Sequence, residues 1–151
     1  MTYQSTKKFG HELGLSCAFR QWRAESHCKF VHGYALSFKF VFEAEVLNDK
    51  NWVIDFGSLK PIKQILQEQF DHKLVIAKDD PLISHFRELD RVAWDLKIMD
   101  NVGCEAFARY AFIAAEEFLY NNDFNKRVSI VSCECAEHGA NSAIYLGENN
   151  G

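Results

Sequence analysis

Apolar residues recur at every second position from Tyr34 to Ala44. Leu36, Phe38, Phe40, Phe42 and Ala44 alternate with Ser37, Lys39, Val41 and Glu43, the period of a strand with one buried face. A looser alternation from Phe9 to Cys17 predicts its hairpin partner, the two joined by a long polar loop that contains "SHCKFVHG". In "GSLKPIKQILQEQF" the period changes. Leu59, Ile62, Ile65, Leu66 and Phe70 recur at helical spacing, Ser58 stands as N-cap, and Pro61 falls in the first turn, where its missing N–H costs nothing. A second helix is predicted from about 104 to 120, with Phe107, Tyr110, Ala111, Ala114 and Phe118 as its stripe and Glu105 in its first turn. "RVSIVSCECAE" alternates again, and "SAIYL" reads as a short closing strand. The order strand, strand, helix, helix, strand, strand predicts an α+β domain, an antiparallel sheet with helices on one face. Between 73 and 100 the pattern is weak, with a turn signal at "KDDP" and a short helix expected near 82–89.

Composition narrows the class. The chain has 151 residues, 48% hydrophobic and 25% charged, enough for one core and too few for two ordinary domains, so a single domain over 1–151 is expected. A net charge of -4 without a concentrated basic stripe argues against nucleic acid as a partner. No window holds the roughly 18 continuous apolar residues of a membrane span, and no apolar stretch follows the first charges, so a cytoplasmic protein is expected. The five cysteines, Cys17, Cys28, Cys104, Cys133 and Cys135, form no repeating framework and no CxxC pair, and they read as reduced thiols.

Four places carry candidate chemistry. His32 and Tyr34, two apart on an extended segment, share a face, and Cys17 at the end of the first strand can lie beside His32 across the hairpin. Thiolate and imidazole are good zinc ligands, whereas a phenol with a pKa near 10 is a poor one; equally, Cys17 can be core and His32 can bond the backbone. In "FDHKL" the Asp71 carboxylate can orient the His72 ring for proton transfer, or the pair can be a surface turn. Glu137, before the turn in "AEHGANSAIY", can accept two parallel hydrogen bonds from the amidine-like edge of a guanine or pterin ring, or be an exposed charge. "NVGCEAFARY" places the backbone N–H groups of Gly103, Cys104 and Glu105 at a helix start, free to donate to a ring oxygen or simply to cap the helix.

In this order the fragments resemble the 6-pyruvoyl-tetrahydropterin and 6-carboxy-tetrahydropterin synthase family. "CKFVHGYALSFKF" is similar to its Cys-x-x-x-His-Gly-His and following strand, and "NWVIDFGSLK" to its Gly-x-x-hydrophobic-Asp-Phe-x-x-Leu-Lys stretch. "FDHKL" is similar to Leu-Asp-His, and the spacing of Glu137 and Tyr145 also matches. The resemblance implies the tunnelling fold: a four-stranded antiparallel sheet with two helices on one face, assembled into an oligomeric barrel, usually a hexamer of two trimers. It implies a lyase acting on 7,8-dihydroneopterin triphosphate, feeding 7-deazaguanine (queuosine) or tetrahydropterin biosynthesis. It makes Cys28 the proton-transferring thiol, Asp71 and His72 its partners, and Glu137 the pterin anchor, with Gly103, Cys104 and Glu105 also at the substrate. The family's zinc is held by three histidines, and an ungapped match from Cys28 puts Cys17 and Tyr34 where two of them stand, leaving His32. His11, His27 or Tyr34 then competes for the third ligand position. The helix-start motif Pro-Thr-x-Glu is also altered here, to Val102, Gly103, Cys104 and Glu105. The alternative function is a pterin- or purine-binding member that has lost the zinc-dependent chemistry.

Overall fold

The computed structural model describes residues 1–148. Its elements run β1 (Tyr3–Phe9), β2 (Leu15–Phe19), β3 (His32–Ala44), α1 (Lys60–Phe70), β4 (Lys73–Ala77), α2 (Ile83–Glu88), β5 (Leu96–Met99), α3 (Cys104–Asn121), β6 (Ser129–His138) and β7 (Asn141–Tyr145). The fold is α+β, but the sheet has seven strands rather than four, in the order β5-β4-β2-β3-β6-β7 with β1 also on β3. Nor is it wholly antiparallel, since β2–β4 and β4–β5 pair in parallel. The short helix expected near 82–89 is α2, beside the two longer ones.

β3 is the organising strand because it is long enough to be shared. Its first half pairs with β2, from Phe19 opposite His32 to Leu15 opposite Leu36, and its second half with β1, from Phe9 opposite Phe38 to Tyr3 opposite Ala44. The hairpin partner expected over Phe9 to Cys17 is therefore two strands. A 3-10 turn at His11–Leu13 separates them, closed by Gly14 in the left-handed region at φ 71, where a side chain would be strained.

Leu36, Phe38, Phe40, Phe42 and Ala44 of the alternating strand face one way and Val41 the other. Leu36, Phe38, Phe40 and Phe42 are wholly buried under α1 and α3, with Phe38 stacked on Phe70 at 5.3 Å and Phe70 against Phe107 at 4.9 Å. On α3 the buried stripe is Cys104, Phe107, Ala108, Ala111, Phe112, Ala115, Phe118 and Leu119; Tyr110 and Ala114, expected in it, lie at its margin. The first helix begins later than the Ser58 cap predicts. Asp55 caps a 3-10 turn at Phe56–Leu59 by accepting from the Gly57 N–H at 2.9 Å, while the Ser58 hydroxyl donates back to the Asp55 carbonyl at 2.6 Å. Among the described residues no helix is long and apolar enough to cross a membrane.

Candidate functional site

Cys28 sits on a 3-10 turn, His27–Lys29, between β2 and β3. The Cys28 N–H donates to the Ser26 hydroxyl at 3.3 Å, and its carbonyl accepts from the Gln21 N–H at 3.0 Å, which ties the turn to the end of β2. Arg20 fixes the turn from beneath. Its guanidinium donates to the Lys29 carbonyl at 3.1 Å and grips Asp80 with two bonds of 2.8 and 2.7 Å. The Asp80 side chain is fully buried, so this pair welds the Cys28 turn to the segment after β4. Of the five free cysteines only Cys28 is not buried.

Where β2 meets β3, the residue opposite His32 is Phe19, not Cys17; Cys17 stands opposite Tyr34. All four side chains share the helix-covered face, with ring separations of 5.2 Å for Phe19–His32, 5.3 Å for His32–Tyr34 and 6.1 Å for Phe19–Tyr34. His138 adds a fourth ring 5.8 Å from Tyr34. Phe19 turns its inner edge onto Phe107 at 5.1 Å. Cys17 is 1% exposed, and burial pushes its thiol up to about 12, so it is neutral at any physiological pH.

Glu137 closes this corner. The β6–β7 ladder is irregular between Ala136 and His138, so Glu137 has no partner across the strand, and such a bulge re-aims its side chain. The Glu137 carboxylate nearby, together with burial, raises the pKa of the Tyr34 phenol; the Cys28 and Cys104 thiols lie close enough to add to the shift. Cys104, at the start of α3, meets Cys135 of β6. The Cys104 neighbour, together with burial, pushes the Cys135 thiol up, while the Cys135 neighbour lowers that of Cys104 against its own burial. Gly103 precedes them at φ 109, a conformation open to glycine but strained for the threonine that the resemblance places there. Glu105 is exposed and lines a separate cavity of about 740 Å³ with Asp100, Arg109, Tyr110 and Tyr145.

Asp71 and His72 form the expected dyad, but elsewhere. The Asp71 carboxylate lies 2.7 Å from His72 Nδ1 and accepts from the Ser16 N–H at 3.3 Å, while the His72 N–H donates to the Ser16 carbonyl at 2.6 Å. The His72 ring is 82% exposed and points outward. Cys28 is tied to Gln21, five residues beyond Ser16, roughly 16 Å of extended chain. Within one chain, Cys28, Tyr34, Glu137 and Cys104 come together, and the dyad stands apart.

Zinc does not fit this corner. Cys17 is a buried neutral thiol beside the wrong partner, an apolar ring faces His32, and Tyr34 is held as a neutral phenol. His11 bonds the Ala35 carbonyl and lines a pocket with Ser37 and Lys39 on the opposite face of the sheet, while His27 is exposed on the Cys28 turn. Among the described residues no three His, Cys, Asp or Glu side chains converge to hold a metal ion. Phe19, His138 and the Arg20–Asp80 pair carry no motif. Only the pairing of distant segments reveals them.

Comparison with known proteins gives these residues a context. The family model described as "6-pyruvoyl tetrahydropterin synthase" matches residues 10–148. The 6-carboxy-5,6,7,8-tetrahydropterin synthase of Aquifex aeolicus is 22% identical over 138 residues, 89% of this chain and 85% of that protein. The Rickettsia felis protein of the same name is 33% identical over 57 residues, 37% of this chain and 41% of that protein. An uncharacterized protein from Wolinella succinogenes superposes with a TM-score of 0.77 at 20% identity, covering 98% of this chain and 99% of that one. The 6-pyruvoyltetrahydropterin synthase of Plasmodium vivax does so at 0.71 and 14%, covering 96% and 97%.

Proposed function

The chain belongs to the 6-pyruvoyl tetrahydropterin synthase family, and on that premise we propose that it is a lyase acting on 7,8-dihydroneopterin triphosphate to give a 6-carboxy- or 6-pyruvoyl-tetrahydropterin. The observation that carries this reading is the convergence of Glu137, Tyr34 and the accessible Cys28 at one end of the sheet. Glu137, freed from strand pairing by the bulge, takes two N–H groups of the pterin edge. The ring oxygen lies toward the backbone N–H groups at the start of α3. Cys28 exchanges protons at the side-chain carbon; when a proton leaves that carbon, its electron pair forms the new double bond and triphosphate departs as the anion.

Asp71 and His72 cannot reach the Cys28 of their own chain across the length of β2. They serve the Cys28 of a second copy, the carboxylate orienting the ring for proton transfer, so the working unit is an oligomer. A hexamer of two trimers closed through open sheet edges suits this, because β1 and β7 each leave one edge unpaired among the described strands. We place the enzyme in the cytosol, in keeping with five free thiols.

Purified protein incubated with 7,8-dihydroneopterin triphosphate is expected to release triphosphate and form a new pterin, resolved by chromatography. Cys28→Ala abolishes turnover and Glu137→Gln weakens binding. Untouched substrate with wild-type protein, with and without added zinc, sinks the proposal. The rival reading, a pterin- or purine-binding protein without this chemistry, draws support from the ring-lined corner where metal ligands are expected. It predicts Glu137-dependent binding of pterins and no turnover.

A further inference from the structure

We infer that the corner between β2 and β3 is a metal-free hydrogen-bonding subsite, in which the Tyr34 hydroxyl and the His32 ring read the hydroxyl groups of the ligand's side chain. The inference rests on the reading of the site as a pterin pocket and assigns what holds the side chain there.

Strand register removes the third ligand. In an antiparallel pair the residues directly opposite lie closest, and the residue opposite His32 is Phe19. Phe19 is 6% exposed and held against Phe107, so its ring fills the corner and does not swing out to admit another ligand. Beside the buried Cys17 thiol, and with His138 beyond Tyr34, the polar groups next to Phe19 are the His32 imidazole and the Tyr34 phenol, at a ring separation of 5.3 Å and perpendicular to each other.

These two groups are complementary. His32 Nδ1 lies 2.8 Å from the Phe30 carbonyl, which can only accept, so Nδ1 carries the proton and Nε2 of the neutral ring is an acceptor. Tyr34 brings a donor. Its rotamer is hemmed in by Phe19, His32 and His138. One donor and one acceptor side by side match a hydroxyl group, which both accepts and donates. The subsite therefore binds a polyol side chain.

Two measurements decide the matter. Metal analysis of protein purified with added zinc should find zinc far below one per chain in the wild type, whereas Phe19→His combined with Tyr34→His should take up one zinc per chain together with His32. Should the double variant fail to fold, Tyr34→His alone, at a half-buried position, should still raise zinc affinity. Stoichiometric zinc in the wild type that is lost in His32→Ala overturns the inference, as does a folded double variant that takes up none. The second measurement compares 7,8-dihydroneopterin with a pterin lacking the side chain. Tyr34→Phe should weaken the first about tenfold, the worth of one hydrogen bond, and leave the second unchanged. Equal weakening of both overturns it. Wild-type protein that binds neither probe defeats the pterin reading of the site, while the zinc measurements still decide the nature of the corner.

Discussion

Replacing Asp80 with Asn tests how the Cys28 turn is held. The Asp80 carboxylate is fully buried, takes two bonds from Arg20 at 2.8 and 2.7 Å, and accepts a third from the Leu82 N–H at 2.9 Å. Removing its charge leaves the Arg20 guanidinium, itself only 13% exposed, without a counter-ion. Breaking a buried pair from one side costs about 3–5 kcal/mol, which for a chain of this size is a fall in Tm of roughly 8–15 °C. Acid should reproduce the effect. Burial alone raises the Asp80 pKa, but the hydrogen bonds from Arg20 and from the Leu82 amide, with the Arg20 charge, outweigh it and hold the carboxyl below the usual carboxylate range. A depressed folded pKa means that the stabilisation is complete above the unfolded value, about 3.9, and is lost as pH falls through the folded one. Thermal unfolding followed by circular dichroism at pH 7 and near pH 3 should show the Asn variant well below wild type at pH 7, with the gap closing in acid. Because Arg20 also donates to the Lys29 carbonyl, the loosened turn should make Cys28 alkylate faster. A Tm within about 3 °C of wild type at pH 7, with unchanged Cys28 alkylation, would refute the clamp.

Two further outcomes follow from the thiol burial and the backbone at α3. Native protein treated briefly with iodoacetamide near pH 7.5 should carry a single adduct, on Cys28, since the other four thiols are buried and burial pushes that of Cys17 up to about 12; a second adduct forming as fast, seen by peptide mass spectrometry, contradicts that ordering. Gly103→Ala places a side chain at φ 109 and should cost about 1–3 kcal/mol in urea unfolding, whereas Gly139→Ala, with nothing within 4 Å of the added methyl, should be nearly silent.

The elements legible in the sequence are those with one wet face. β3, α3 and β6 each expose alternate or flanking positions, so their periods appear in the residues themselves. β4 does not. Leu74, Val75, Ile76 and Ala77 are all buried because both faces are covered, Leu74 and Ile76 packing with Phe86 of α2 and Val75 and Ala77 with the main core, and a continuously apolar run carries no period. The break between β1 and β2 was hidden for another reason, since Phe9 and Leu15 are both buried and the turn between them is too short to disturb the alternation. Cys28, Asp71, His72 and Glu137 stand out in the sequence only through the family resemblance, whereas the Arg20–Asp80 clamp joins positions sixty residues apart and leaves no local trace.

The identity of the residue facing His32 shows where such reading stops. Cys17 and Phe19 are two apart on one strand, so they share a face, and no periodicity distinguishes them as neighbours of His32. Along the strand they differ by roughly 7 Å, while a zinc ion accepts ligand atoms only at about 2.0–2.3 Å. A register error of two residues is thus invisible to the hydrophobic pattern and decisive for the chemistry. With Cys17 beside His32 the corner holds a thiolate–imidazole pair and invites a metal. With Phe19 there it holds a dry ring, and the polar work falls to Tyr34 and to Glu137, which a bulge in a third strand leaves without a cross-strand partner. What this corner binds is therefore set by three strand pairings, and only secondarily by the motif that marks it.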